Sequence, residues 1–313
     1  MSAVARILGI VTAKPERTLA LSDFLCSCTR AEALFEEDKL HEAHELVELL
    51  EWSLQQAVAA GEDVEAATCV ASDFEDLFRR VKREFAQLKS VLEYCGGAED
   101  QWMLARTSDG VQTHYRLAEE GLMTVRLSGT IKASVVNIVA VMQENDLWTD
   151  WISRLSHSST VRAVSPFHKI VFVRMNGLGP VAARYLYLDG RGYDLLTTAG
   201  AVVILARNAE EVEDAPVKEG DVMVRLLAGG AILLPVAPEV TELVLLARAD
   251  PVLPVIPFWL INFVTKQLAH HCFEMLRERA VKLPPVYKER IEQSPKVYSE
   301  VQKRMDEFLQ RDK

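Results

Sequence analysis

The chain is poor in the features that announce most chemistries. Its 313 residues include only five cysteines, and these are scattered: Cys26, Cys28, Cys69, Cys95 and Cys272. Cys26 and Cys28 are too close for an ordinary disulfide or zinc pair, and no second pair stands at ligand spacing. The cysteines therefore read as free thiols in a reducing compartment. No stretch reaches the roughly 18–20 apolar residues that a membrane span needs. Residues 7–11 are too short for the apolar core of a secretory signal. Met1-Ser2 lacks the glycine of a myristoylation site, and the C-terminus carries no prenylation cysteine. The expectation from these absences is a cytoplasmic protein.

Basic charge is also missing. The formal net charge is −10, which sets aside nucleic acid as a partner. There is no Gly-x-Ser-x-Gly, no His-Glu-x-x-His, and no glycine-rich phosphate loop between a strand and a helix, so neither an enzyme nor a cofactor is expected. Asp189-Gly-Arg-Gly192 is rich in glycine but reads as a turn between strands. His270 and His271 are neighbours on a helix, about 100° apart around its axis, and do not face one metal together.

Hydrophobic residues at 49% and charged residues at 26% are what is present, the balance of a folded globular chain. Residues 1–98 hold 18 acids against 10 bases and read as helices. Leu34, Phe35, Leu40, Ala43, Leu46, Val47, Leu50 and Trp52 suit two packed helices. Residues 33–46 weakly resemble one tetratricopeptide-type pair, but no second copy follows at a fixed period. Ala59-Ala-Gly61 breaks the pattern. A further helix carries Phe74, Leu77, Phe78, Val81, Phe85, Leu88 and Leu92 on one face, and Gly96-Gly97 supplies its C-terminal cap.

From Trp102 the period changes to two. Thr107-Ser-Asp-Gly110 between two alternating segments is a hairpin signal. In 122–133, Val125, Leu127 and Ile131 point one way while Arg126, Ser128, Thr130 and Lys132 point the other, which predicts an antiparallel sheet with one wet face. Ser134 caps a helix through Val135, Ile138, Val141 and Met142, and a second short helix carries Leu147, Trp148, Trp151 and Ile152. Strand character returns at 160–164, 168–175, 181–188, 202–206, 222–227, 231–235 and 241–248. Strands, two short helices, more strands and one long helix make an α+β order rather than a parallel α/β one. The prolines of 250–256 predict an extended connector, and Pro257 opens a helix in which Ile261, Val264, Leu268, Cys272 and Met275 recur at helical spacing.

This order, over about 100–281, resembles the StAR-related lipid-transfer (START) domain family. The likeness is carried by Asp146-Leu-Trp-Thr-Asp-Trp151, by Pro180-Val-Ala-Ala-Arg184-Tyr-Leu-Tyr187, by Val224-Arg225 with Gly230 and Pro235, and above all by Asp250 to Asn262. The resemblance implies a helix-grip fold, a curved antiparallel sheet around a long C-terminal helix near 257–280. It divides the chain into an N-terminal helical region (1–98), a START-like domain (99–281) and a charged helical tail (282–313). Where the family has Arg-Asp this chain has Arg184-Tyr185. Sterol-binding members use a buried acid–arginine pair, and 159–180 contains no Asp or Glu to supply the acid, which puts a cholesterol-type ligand in doubt.

The implied function is lipid binding or transfer, the partner being a lipid or other hydrophobic small molecule with transient membrane contact. The candidate lining residues are Leu127, Ile170, Phe172, Arg174, Arg184, Leu245, Trp259, Ile261, Val264 and Leu268. Small inward candidates such as Ala182, Ala183, Gly129, Ala201, Ala206 and Ala247 leave room for a ligand. The glycines of 176–180 form a tight turn that also suits a loop moving with the closing helix. A different class of function also stands: a non-transferring scaffold that binds a protein partner through the N-terminal helices. An enzyme of the aromatic-cyclase kind on the same fold is more distant.

Overall fold

The computed structural model describes residues 4, 7–9, 18–96, 102–117, 122–209, 217–250, 252 and 258–311. The chain divides into two compact units, Met1–Gly96 and Gly97–Lys313. No described helix is long and apolar enough to cross a membrane.

The first unit is helical, with α1 (Phe24–Glu36), α2 (Leu40–Ala60), α3 (Glu65–Asp73) and α4 (Glu75–Gly96). A short connection folds α2 back on α1, and α4 packs against α2. Gly61 ends α2 in the left-handed conformation at φ 74°, its N–H returning to the last turn, which only glycine does without strain. The stripe Leu77, Phe78, Val81, Phe85, Leu88 and Leu92 on α4 is buried, as its spacing predicts. The close of this helix at Gly97 lies outside the described residues.

The second unit is built on one sheet. Its strands are β1 (Met103–Ser108), β2 (Val111–Leu117), β3 (Met123–Ile131), β4 (Leu155–Ser165), β5 (His168–Met175), β6 (Arg184–Leu195), β7 (Ala201–Asn208), β8 (Val222–Met223), β9 (Arg225–Ala237) and β10 (Val240–Asp250). The order across the sheet is β1-β2-β3-β10-β9-β7-β6-β5-β4. Among the described residues every strand pairing is antiparallel except that of β8 with β6. The edge strands β1 and β4 are both bulged, which discourages pairing with another chain. Asp109 (φ 53°) and Gly110 (φ 75°) form the two-residue turn of the first hairpin.

Two glycine-bearing stretches, one read above as a turn and one left between strand segments, lie inside strands. Asp189-Gly-Arg-Gly192 belongs to β6, and Gly229-Gly230 to β9. Local turn chemistry yields here to ladder hydrogen bonds on both sides of each strand.

Between β3 and β4 lie α5 (Val135–Gln143) and a 3-10 turn (Asn145–Asp150). Ser134 Oγ caps α5 by accepting from the Asn137 N–H at 3.2 Å. The closing helix is α7 (Phe258–Phe263), a π segment (Val264–Leu268) and α8 (Ala269–Val281), α6 being the single turn Leu196–Ala199. Apart from Val252, the proline-rich connector of 251–257 lies outside the described residues. The charged tail forms α9 (Pro285–Gln293) and α10 (Pro295–Arg311) and buries Tyr287, Tyr298, Val301 and Met305. Two ion-paired arginines fasten it. Arg290 bonds Glu144 at 2.5 Å and Asp146 at 2.6 and 2.7 Å, and Arg304 bonds Asp194 at 3.0 Å.

Candidate functional site

One face of the sheet carries the helices. Val125, Leu127, Ile131, Val202, Ala231, Leu233 and Leu243 share a buried cluster with α5 and with Phe273, Leu276 and Ala280 of α8. The approach is closest at Gly129, where a Cβ would stand 3.0 Å from Phe273 Cζ. The sequence folds this way because the odd-numbered residues of β3 and, apart from Thr241, of β10 are apolar, and pairing sets them side by side: Leu127 with Leu245, Gly129 with Leu243.

Following the pairing outward identifies the helix-bearing face of every strand. Leu245 pairs with Ala231, Ala231 with Ile204, and Ile204 with Gly192. On β6 the even-numbered residues therefore face the helix, and because Leu188 pairs with Val171, so do the odd-numbered residues of β5. Leu155, Val171, Val173 and Leu186 form a second buried cluster there, with Trp148, Ile152, Met175, Leu188, Val224 and Leu226 packed around it.

Of the candidate lining residues, Leu127, Leu245 and Val264 come together on this inner face. Ile261 and Leu268 are half-buried on the closing helix, and Trp259 is 43% exposed at its first turn. Arg184 shares the inner face with its pair Met175 but sits at the strand end, donating Nη1 to the Ala182 carbonyl at 2.8 Å.

Ile170, Phe172 and Arg174 are corrections, because all three lie on the opposite face. Phe172 is fully buried among the rings of His157, Tyr185 and Tyr187. Arg174 makes a two-pronged ion pair with Asp221, Nε to Oδ2 at 2.7 Å and Nη2 to Oδ1 at 2.9 Å. This bond holds the Asp221 carboxyl below its usual range. An acid–arginine pair thus exists, its acid lying outside 159–180, but the pair ties the 217–221 loop to β5 rather than facing the helix. The periodicity of β5 had no means of choosing a face, since Ile170 and Phe172 are as apolar as Val171 and Val173.

The outer face also holds His168, Asp189 and Arg207. His168 Nε2 lies 2.6 Å from Asp189 Oδ1, and Arg207 Nε donates to Oδ2 at 3.0 Å. Burial raises the Asp189 carboxyl, but bonds from His168 and Arg207 outweigh it and hold the group below its usual range. Both carboxylate oxygens are engaged, so the group closes on itself. Among the described residues no cluster of His, Cys, Asp and Glu is arranged to hold a metal.

The sequence reading missed Lys169, Gly190, Gly229, Val171, Val173, Leu186 and Leu188 on the inner face. Gly190 reads from the sequence as part of a turn, and Gly229 falls between the strand segments 222–227 and 231–235. An added Cβ at Gly190 would meet only the Lys169 carbonyl, at 3.7 Å, so the space above it is open.

No protein-family model matches the chain, and no curated protein matches it significantly. Solved structures do match. Human STARD10 superposes with a TM-score of 0.58 at 16% identity, covering 68% of this chain and 86% of that one. Human StAR-related lipid transfer protein 5 gives 0.56 at 16% identity, covering 64% and 95%. The chain therefore has the START-domain fold, a helix-grip α+β architecture, preceded by a helical unit.

Proposed function

We propose that the inner face of the sheet binds one lipid-sized apolar molecule, and that the protein works as a cytoplasmic lipid-binding or lipid-transfer protein. One observation carries this reading. The described inner face holds two separate packed clusters rather than one, and the apolar side chains between them are incompletely buried. Leu188, Ile204 and Leu245 are half-buried there and Ala247 is exposed. In a filled core such residues would be covered on all sides. An apolar ligand laid over them would gain about 0.8 kcal/mol per buried CH₂. The START fold of the neighbours, one of them named a lipid transfer protein, supports the same reading.

Leu127, Leu245, Ile261, Val264 and Leu268 are the proposed lining. Trp259, with Val252 exposed ahead of it, would touch a membrane during loading, since an indole suits the membrane interface. Loading is gated by the first half of the closing helix together with the loop 176–180. That loop is tight. Leu178 and Val181 bridge one another, Gly179 has φ 56°, and a Cβ on Gly177 would stand 2.7 Å from the Val181 carbonyl. A disulfide engineered between loop and helix should slow exchange of a fluorescent lipid, and equal rates in oxidised and reduced protein would dispose of the gate.

The direct test of the function is mass spectrometry of lipids extracted from the purified protein. Co-purification of about one lipid per chain in wild type, reduced in Val264→Trp but not in Arg174→Ala on the outer face, is expected. Equal loading in all three would rule out the inner face as the site. The helical unit is read as a surface for a protein partner, because Leu25 and Trp52 stand 55% and 43% exposed on an acidic body.

A further inference from the structure

We propose that the molecule bound on the inner face carries a carboxylate, held by the ammonium group of Lys169 at one end of a trough of small residues. The proposal rests on the lipid-binding reading and adds the chemical class of the ligand.

The trough follows from the register. Lys169 of β5 pairs with Gly190 of β6, Gly190 with Ala206 of β7, Ala206 with Gly229 of β9, and Gly229 with Ala247 of β10. This row crosses five neighbouring strands on the face that carries the helices. At about 4.8 Å between strands it runs on the order of 19 Å, the reach of a long acyl chain. None of its four residues beyond Lys169 has a side chain larger than a methyl group. Leu188 and Leu226 stand to one side of the row, Ile204 and Leu245 to the other. Leu226 leans over Gly229, 3.1 Å from where its Cβ would be, while Gly190 beside Lys169 stays open.

Lys169 is the group that calls for a ligand. Its side chain is half-buried, and Nζ donates to the Gln143 carbonyl at 3.1 Å at the end of α5. An ammonium has three donors, so two have no hydrogen-bond acceptor among the described residues. The neighbouring carboxylates are committed elsewhere. Glu144 accepts from Arg290 at 2.5 Å and from the Tyr298 hydroxyl at 2.6 Å, and Asp146 accepts twice from Arg290. Neither forms an ion pair with Lys169. Burial pulls the Lys169 pKa down, and Glu144 and Asp146 restore part of it. A half-buried ammonium whose neighbouring carboxylates are bonded to other groups is costly to hold there. Two free donors match the two oxygens of a carboxylate, and bonds between charged partners are about twice as strong as neutral ones. A hydroxyl at the same place would satisfy one donor and supply no charge.

The test compares oleate with oleyl alcohol, two ligands with the same chain and different ends, by titration of the full-length protein. Wild type should bind oleate on the order of ten-fold more tightly. K169M should lower oleate affinity by that factor and bring the two ligands level, while K169R should keep most of the preference. Thermal melts of each variant report on folding. Unchanged preference in K169M, or no preference in wild type while both ligands bind, overturns the anchor and leaves lipid binding standing. Failure of wild type to bind either ligand overturns both.

Discussion

Gly129 is where the grip of helix on sheet is tightest, and Gly129→Ala tests it. The new methyl would lie 3.0 Å from Phe273 Cζ, 3.2 Å from the Gly110 carbonyl oxygen and 3.2 Å from Val111 Cγ2. Phe273 and Val111 are fully buried, so neither can swing into solvent, and the Gly110 carbonyl belongs to a two-residue turn. The backbone at Gly129 is not left-handed, so alanine brings no strain of its own. Overpacking of this kind costs about 1–3 kcal/mol. The loss of glycine's freedom in the unfolded chain returns about 0.4–1 kcal/mol. A net loss of about 1–2 kcal/mol is expected, read by urea denaturation as a lower midpoint with unchanged slope. The double mutant with Phe273→Leu should be less destabilised than the two single changes together, with a coupling of at least about 0.5 kcal/mol. If Gly129→Ala matches wild type, or the two changes simply add, then helix and strand do not meet as described.

The helical unit should lose stability in acid. His44 stacks on Phe85 with ring centroids 3.5 Å apart, and burial, His41 and Lys82 hold its pKa down to about 4, the exposed Glu48 at 3.8 Å being too weak an offset. The unfolded chain takes up this proton near pH 6.5 and the folded unit only near 4, so stability should fall by on the order of 2–3 kcal/mol as pH drops across that window. His44→Gln should flatten the acid limb, and an unchanged pH profile would refute this. The acidic charge of residues 1–98 also predicts negligible flotation of that unit with anionic vesicles at physiological salt, and strong binding would sink the reading of it as a protein-binding surface.

The parts legible in the sequence were those governed by local pattern. The alternation of β3, the Asp109-Gly110 turn and the Ser134 cap each follow from a few adjacent residues, and each stands in the structure as read. The parts that misled were those where distant pairing decides. Gly190, Gly192, Gly229 and Gly230 carry turn chemistry, yet lie mid-strand because ladders on both sides hold them extended. Two of them, Gly190 and Gly229, open the trough, so part of what made the strands hard to see is what makes the site. The face of β5 is set only through the register of β6. Lys169 was invisible as a candidate because its isolation depends on Arg290 and Tyr298, far along the chain, claiming the nearby acids.

The closing helix itself is unevenly held, and that asymmetry bears on how a ligand enters. Its second half is fastened to three places. Arg277 Nη1 donates to the Asp109 carbonyl at 2.8 Å, Arg279 Nη2 to the Asp150 carbonyl at 3.3 Å, and Asn137 Nδ2 to the Ala280 carbonyl at 3.4 Å, while Phe273 seats on Gly129. The ties of the first half include the Arg154 guanidinium over the Phe263 ring at 5.4 Å and, at the π segment, Arg106 donating to the Lys266 carbonyl at 2.9 Å. Ahead of the π segment only Leu260 is buried among the described side chains, against His270, Phe273, Leu276 and Ala280 in the second half. The π segment lies at the boundary. There the buried Thr265 bonds back to the Ile261 carbonyl at 2.7 Å, and wider turns of this kind interrupt the regular ladder where helices bend. Local opening begins where buried contacts and hydrogen bonds are fewest. It should therefore begin ahead of Val264, beside the half-buried Leu245 and the exposed Ala247, while the half seated on Gly129 holds the fold together.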